Sequence, residues 1–363
     1  MITISLCMIV RDEEKVLRRC LSSIKDAVDE IIIVDTGSTD ATKEIAGEFT
    51  GKIFDFEWID DFSAARNFAF SKATSDYQMW LDADDVFPQK SREQLIALKD
   101  TLCPSTDIVT MKYVLSTDAS GNPTFASTRE RLFKRENDVR WQDPVHEFIQ
   151  MKGNIFYSDI AILHAKPPGT DTGDRNLQIY TRHEGTNPFT PRQMYYFARE
   201  LKDHGMYAKA VYYFERFLQE GGGWVEDNIG ACHALATCYK KLDEMKKILP
   251  VLLRSFEYGA PRAEIVCEIG YFYKWLRQFE IAAKWFKIAA HLGIPQTTGF
   301  VLLDCWQFIP NIEACCCLCE AGHFSEAEIY NEAAAKFKPD SESVRINREF
   351  IKSRLVTPLP VAV

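Results

Sequence analysis

Over the first 85 residues, short apolar runs alternate with stretches whose apolar positions recur every three or four residues. Ile2–Val10 is a run of the first kind and predicts a buried strand. From Glu14 the positions Val16, Leu17, Cys20, Leu21 and Ile24 follow helical spacing, with Asp12 placed to cap that helix. Glu30–Val34 predicts a second strand, and a helix through Phe49 follows, with Ser38 or Asp40 as its cap. Gly37 permits the tight turn between them. Lys52–Phe56 is a third strand, Ser63 opens another helix, and Tyr77–Leu81 is a fourth strand. Strands alternating with helices in this way predict a parallel sheet with right-handed crossovers. Beyond Pro88, Ile108–Leu115 and Thr128–Lys134 read as strands on either side of a turn at Asp118–Pro123, and Ile160–Leu163 as a shorter one.

Polar residues gather at the strand ends. Arg11, Asp12 and Glu13 follow the first strand, Asp35 the second, and Asp82, Asp84 and Asp85 the fourth. In a parallel sheet these ends share one edge, where α/β folds bind ligands. Desolvating clustered carboxylates costs more than packing returns, so the acidic group should face a crevice open to water and a cation. Hard oxygen ligands of this kind suit Mg2+ or Mn2+, with a metal-free acidic turn as the alternative. Arg66, in the first turn of its helix, supplies a fork for diphosphate or carboxylate. Arg129 and Arg131 alternate along a strand and should face one side together, either neutralising phosphate or solvated. Neither G-x-G-x-x-G nor G-x-x-x-x-G-K-[ST] occurs, which argues against the usual dinucleotide and P-loop sites. A nucleotidyltransferase fits poorly for the same reason.

The second half is helical throughout. Small residues recur at Ala198, Ala236, Gly270 and Cys315, steps of 38, 34 and 45, around the ~34 of tetratricopeptide repeats. This predicts an α-solenoid of about four helix pairs with an insertion near Pro295–Asp304. The expected domains are residues 1–165, a linker, active-site loop and helix at 166–190, helical repeats at 191–340, and a tail at 341–363. Within the linker, Lys166–Gly173 has loop composition and is a candidate lid. Cys315, Cys316, Cys317 and Cys319 lack a partner C-x-x-C and read as small packing residues on a helix.

Composition narrows the class. A net charge of −9 argues against general nucleic-acid binding. The apolar opening stretch is too short to span a bilayer and lacks a signal-peptide start. Eleven cysteines without framework spacing fit a reducing compartment, hence a cytoplasmic protein.

Four ordered motifs carry a resemblance: Leu6-Cys-Met-Ile-Val-Arg-Asp-Glu-Glu, Ile32-Ile-Val-Asp35-Thr-Gly-Ser-Thr-Asp40, Ala65-Arg66-Asn67 and Trp80-Leu-Asp82-Ala-Asp84-Asp85. Together they resemble the family 2 glycosyltransferases, which have the GT-A fold. The resemblance implies an α/β GT-A (Rossmann-like nucleotide-diphospho-sugar transferase) domain, followed here by the all-α tetratricopeptide-like domain. It implies that Asp35 hydrogen-bonds the base, usually uracil, that the loop Val10, Arg11, Asp12 and Glu13 flanks it, and that Arg66 lies near the nucleotide. Asp82 would approach the ribose, Asp84 would ligate the metal, and Asp85 would sit near the sugar. Many relatives carry Tyr-Asn-Glu where this chain has Arg11-Asp12-Glu13.

An inverting transferase needs a carboxylate to take the acceptor's proton. Glu147 is the first candidate and Asp143 the second; ordering of a loop is the alternative for His146-Glu147. In related enzymes a histidine placed like His164 completes the metal shell, whereas a lone histidine there can also be a structural donor. His146 is a candidate contact on the acceptor or phosphate side.

With its helices and Arg175-Asn176, the chain also resembles the subgroup that contains the sublancin S-glycosyltransferase. The expected activity is transfer of a hexose from UDP-glucose or UDP-N-acetylglucosamine to a protein or peptide acceptor presented by the helical half, which could also mediate homodimerisation. Transfer onto cell-wall or capsular polysaccharide, and an inactive transferase-repeat scaffold, are the alternatives.

Overall fold

The computed structural model describes residues 1–118, 121–167, 173–185, 188–297 and 299–355. The chain divides into two units, Met1–Asn187 with Thr297–Val301, and Pro188–Gln296 with Leu302–Val363.

The first unit begins with β1 (Ile4–Val10), α1 (Leu17–Ile24), β2 (Glu30–Asp35), α2 (Thr42–Gly47), β3 (Ile53–Asp55), α3 (Phe62–Phe70) and β4 (Tyr77–Trp80). These strands lie side by side in the order β3-β2-β1-β4, all parallel. Their continuous apolar runs follow from burial on both faces. On one face Leu6, Met8 and Met79 pack with Leu17 and Leu21 of α1. On the other, Cys7, Ile32, Val34 and Trp80 pack with Phe70 of α3 and with Trp141.

The unit continues with β5 (Asp85–Val86), α4 (Gln89–Thr101), β6 (Ile108–Thr117), β7 (Pro123–Lys134), β8 (Trp141–Gln142), β9 (Phe148–Ile149), β10 (Ile155–His164) and α5 (Arg175–His183). β7 joins β4 antiparallel and extends the sheet through β6, β10 and β5. β8 and β9 form a separate hairpin.

Three local expectations change. α1 starts at Leu17, and Asp12 does not cap it. Asp12 takes φ 55° and its Oδ1 accepts from the Thr39 N–H at 2.7 Å, which ties the loop after β1 to the loop after β2. The cap of α3 is Asp61, which accepts from the Ala64 N–H at 3.0 Å. The β6–β7 register slips between Leu132 and Glu130, with Arg131 as the extra residue, and the guanidinium groups of Arg129 and Arg131 lie 5.4 and 3.7 Å from the Trp80 ring centroid. Arg131 is 0% exposed, so it is neither solvated nor on a phosphate-facing surface.

The second unit comprises α6 (Pro191–Asp203), α7 (Tyr207–Glu220), α8 (Val225–Lys241), α9 (Met245–Arg254), α10 (Ala263–Trp275), α11 (Phe279–Ala290), α12 (Phe308–Glu320), α13 (Phe324–Ala335) and α14 (Glu342–Leu355). α6 opens with a capping box between Thr190 and Gln193, with Pro191 in its first turn. The four helix pairs correspond to the four sequence repeats, and α14 follows them. Ala198, Ala236, Gly270 and Cys315 are buried within α6, α8, α10 and α12. A Cβ at Gly270 would lie 2.8 Å from the Phe286 ring, so α10 and α11 approach as closely as the repeat requires.

Residues 342–355, expected within a tail, are helical and bury Val344 and Ile351, two turns apart. Residues 356–363 lie outside the described residues. In the expected linker, Arg175–His183 is helical and belongs to the first unit. The expected lid falls largely on 168–172, which also lie outside the described residues. Among the described residues no helix is long and apolar enough to cross a membrane.

Candidate active site

The parallel register brings the ends of β1 and β2 level, with Val10 opposite Asp35. Asp35 is 2% exposed. Its Oδ1 accepts from the N–H groups of Gly37 and Ser38, at 3.0 and 2.9 Å, which closes the turn. Its Oδ2 is buried without a protein partner, an acceptor waiting for a donor. The Val10 side chain is buried, and its carbonyl accepts from the Thr36 N–H. Arg11 is exposed. The Glu13 N–H donates to Thr42 Oγ1 at 2.7 Å, which fixes the loop. Burial, then the charges of Asp84, Asp82 and Asp40, push the Glu13 carboxyl up to about 7, against the pull of Arg175.

Arg66 stands at the middle of the site. Its Nε donates to Glu147 Oε1 at 2.6 Å and its Nη2 to Asp82 Oδ1 at 2.7 Å. The guanidinium lies 4.8 Å from the Trp80 ring centroid and 5.0 Å from that of Trp141. Its Nη1 is buried and unpartnered. Burial opposes its charge, but Glu147 and Asp82 raise its pKa above the ordinary arginine value. Burial likewise opposes ionisation of Asp82, and Arg66 and Arg131 outweigh it, holding its carboxyl low.

The acidic motif turns back on itself. Asp85 opens β5 and pairs antiparallel with His164 at the end of β10. That pairing sets His164 Nδ1 3.4 Å from Asp84 Oδ1 and 3.7 Å from Asp85 Oδ1. One ligand atom from each of these three residues lies within 4.8 Å of the others. Tyr113 Oη is 2.7 Å from the same imidazole nitrogen. The carboxylates of Asp84 and Asp85 beside it raise the His164 pKa to about 10.

Asp85 departs from expectation. The acidic group is expected in a crevice open to water, but the Asp85 side chain is 0% exposed, with Arg131 Nη1 3.1 Å from Oδ2. Arg131 lies 3.7 Å from the Trp80 ring centroid and 4.5 Å from that of Tyr113. The bulge in β7 delivers this cation to the back of the carboxylate. Asp85 Oδ1 is buried and unpartnered, like the outer oxygen of Asp35. Two carboxylates and an imidazole, with one oxygen unspent, fit a hard divalent cation.

Glu147 is mostly buried and stands on the hairpin loop between β8 and β9. Asp143 and His146 on the same loop take φ 69° and 54°, and the His146 ring stacks on Tyr180 of α5 with centroids 6.4 Å apart. Arg66 thus links Asp82 and Glu147, the Asp82 N–H donates to Asp85, and Asp84, Asp85 and His164 meet; Glu13 lies within electrostatic reach of Asp84 and Asp82, and Asp35 stands at the end of the neighbouring strand. Sequence reasoning did not assign a role to Arg175. It opens α5 with its guanidinium 4.6 Å from the Phe62 ring, and its electrostatic neighbours include Arg11, Glu147 and Glu13. Its place at the start of the helix within the expected 166–190 segment was the available signal.

Residues 5–156 match the family described as Glycosyl transferase family 2. A TPR repeat-containing protein of Synechococcus elongatus is 43% identical over 149 residues, 41% of this chain and 36% of that protein. The SPbeta prophage-derived glycosyltransferase SunS of Bacillus subtilis is 29% identical over 211 residues, 55% of this chain and 49% of that protein. The chain therefore spans between a third and a half of the length of these relatives. Among solved structures, S. aureus TarS 1-349 aligns over 65% of this chain and 80% of that one, at 15% identity and a TM-score of 0.36.

Proposed function

We propose that this chain transfers a hexose from a UDP-sugar, UDP-glucose or UDP-N-acetylglucosamine, to a protein or peptide side chain, with inversion and with Mg2+ or Mn2+. The observation that carries this reading is the convergence on Arg66, which joins the donor-side carboxylate Asp82 to the acceptor-side carboxylate Glu147. The family match of the N-terminal domain and the similarity to a relative named as a glycosyltransferase support it.

In this reading the unpartnered Asp35 Oδ2 accepts a base N–H, and Arg11 and Glu13 border the base. Asp82 approaches the ribose. Asp84 and His164 hold the cation, backed by Asp85, whose position Arg131 sets. When bound, the cation offsets charge developing on the departing diphosphate. Arg66 and Arg175 add fixed positive charge beside it. Arg66 aims Glu147 through one carboxylate oxygen, and the second oxygen takes the acceptor's proton. The helical unit presents the acceptor.

Incubation with a panel of UDP-sugars, Mn2+ and candidate peptides, followed by intact-mass measurement, tests this. One added hexose or N-acetylhexosamine is expected. Asp84→Asn and Glu147→Gln should each lower transfer by about a hundredfold or more. Full activity in both variants would remove the reading. Gain of mass by glycans and not peptides would overturn the acceptor class alone.

A further inference from the structure

The carboxylate assigned to proton transfer sits on a hairpin that has little to hold itself in place. β8 and β9 are two residues each, paired only as Trp141 with Ile149 and Gln142 with Phe148. Such a ladder is too short to be stable alone, and two of its loop residues take left-handed backbone. Tyr180 of α5 holds the outer part of the loop, its Oη donating to the Val145 carbonyl at 3.2 Å and its ring stacking on His146, and α3 holds it at three further points. The Phe62 N–H donates to the Pro144 carbonyl at 2.9 Å, near the tip. Arg66 Nε grips Glu147 itself. Asn67 clamps the base: its Nδ2 donates to the Trp141 carbonyl at 3.0 Å, while its Oδ1 accepts from the Trp141 N–H at 2.9 Å.

We infer that Asn67 is a positioning residue for the proposed reaction, a side-chain amide that stands in for a neighbouring strand and so aims Glu147. The inference rests on Glu147 being the group that takes the acceptor's proton. Donor and acceptor of one carboxamide are both spent on a single backbone unit, which also fixes the amide's orientation. No other side chain of this size offers both. Aspartate loses the donor and sets a carboxylate against a carbonyl oxygen; alanine loses both bonds. Without the clamp the hairpin keeps its tip contact and its grip on Arg66, and can pivot about them. Displacement of a reacting group by about 1 Å costs on the order of a hundredfold in rate.

The test uses the full chain with UDP-glucose and Mn2+, reading release of UDP, and compares Asn67→Ala, Asn67→Asp, Glu147→Gln and the Asn67→Ala/Glu147→Gln double variant. Asn67→Ala and Asn67→Asp should each lower turnover by about ten- to a hundredfold, with UDP–Mn2+ affinity within about twofold of the parent. Backbone amides of 141–149 should exchange faster, those of β2 and β4 unchanged. The double variant should be no worse than Glu147→Gln alone, because Asn67 acts only through that carboxylate. Turnover within twofold of the parent, loss of UDP–Mn2+ binding in step with turnover, or fully multiplicative losses in the double variant each overturns the inference. If Asn67→Ala fails to fold, Asn67→Asp, which keeps one of the two bonds, decides. Parental turnover in Glu147→Gln sinks the reading of Glu147 by itself, whatever Asn67 does.

Discussion

Arg131 shows how one residue's environment can invert its expected role. Alternation along a strand pairs it with Arg129 on one face, solvated or facing phosphate, and both do approach Trp80, yet Arg131 is fully buried. There it compensates Asp85, and both side chains are 0% exposed. A buried pair adds little net stability, but removing one partner strands the other charge. Arg131→Met should therefore destabilise by about 3–5 kcal/mol, and Arg131→Met/Asp85→Leu should recover most of that, as urea melts will show. Glu30 gives a second expectation. Burial opposes its charge, but hydrogen bonds from Lys52, Ser5 and Thr74 hold its pKa at about 2, below 4.5. A depressed acid contributes stability that is whole above its unfolded pKa and is lost as pH falls toward the folded one. Thermal melts from pH 5 to pH 2.5 should drop more steeply for the parent than for Glu30→Gln, the two converging at the acid end. Parallel curves would show that Glu30 does not carry this dependence.

Among the elements, α3 and the β8–β9 hairpin show what short-range pattern misses. A two-residue strand has no periodicity to read, so the hairpin was invisible even though Trp141, His146 and Glu147 drew notice as residues. The repeats were easier, because small residues at fixed intervals mark where helices must approach. At Gly270 the space is so close that a single methyl group meets the Phe286 ring. Gly270→Ala gains helix propensity of about 1 kcal/mol but forces that ring aside, at about 1–3 kcal/mol. The expected net effect is destabilisation, read as a lower melting temperature with helical circular dichroism retained. α14 went unrecognised because only Val344 and Ile351 commit it to the core, too sparse a stripe beside its charged neighbours.

For the whole molecule, the reading predicts a ligand dependence. A ligand that binds only the folded chain stabilises it by mass action, about 2.7 kcal/mol at a hundred times its Kd. UDP with Mn2+ should raise the parent's melting temperature, EDTA should abolish that rise, and Asp84→Asn should show little of it. An equal shift in Asp84→Asn would place the cation elsewhere. Net charge belongs to this scale too: −9 over 363 residues bears on partners and not on topology.

The strand–helix alternation, the edge where the acidic motifs emerge and the count of helix pairs were all legible in the residue order, because each depends on contacts among neighbours in the chain. Apolar period and turn chemistry are local quantities. The enclosure of Asp85, the meeting of His164 with the acidic motif, the fork of Arg66 and the approach of Arg175 join residues from 16 to more than 100 positions apart. Such contacts are selected by how strands pair and helices pack, and no window of sequence encodes them.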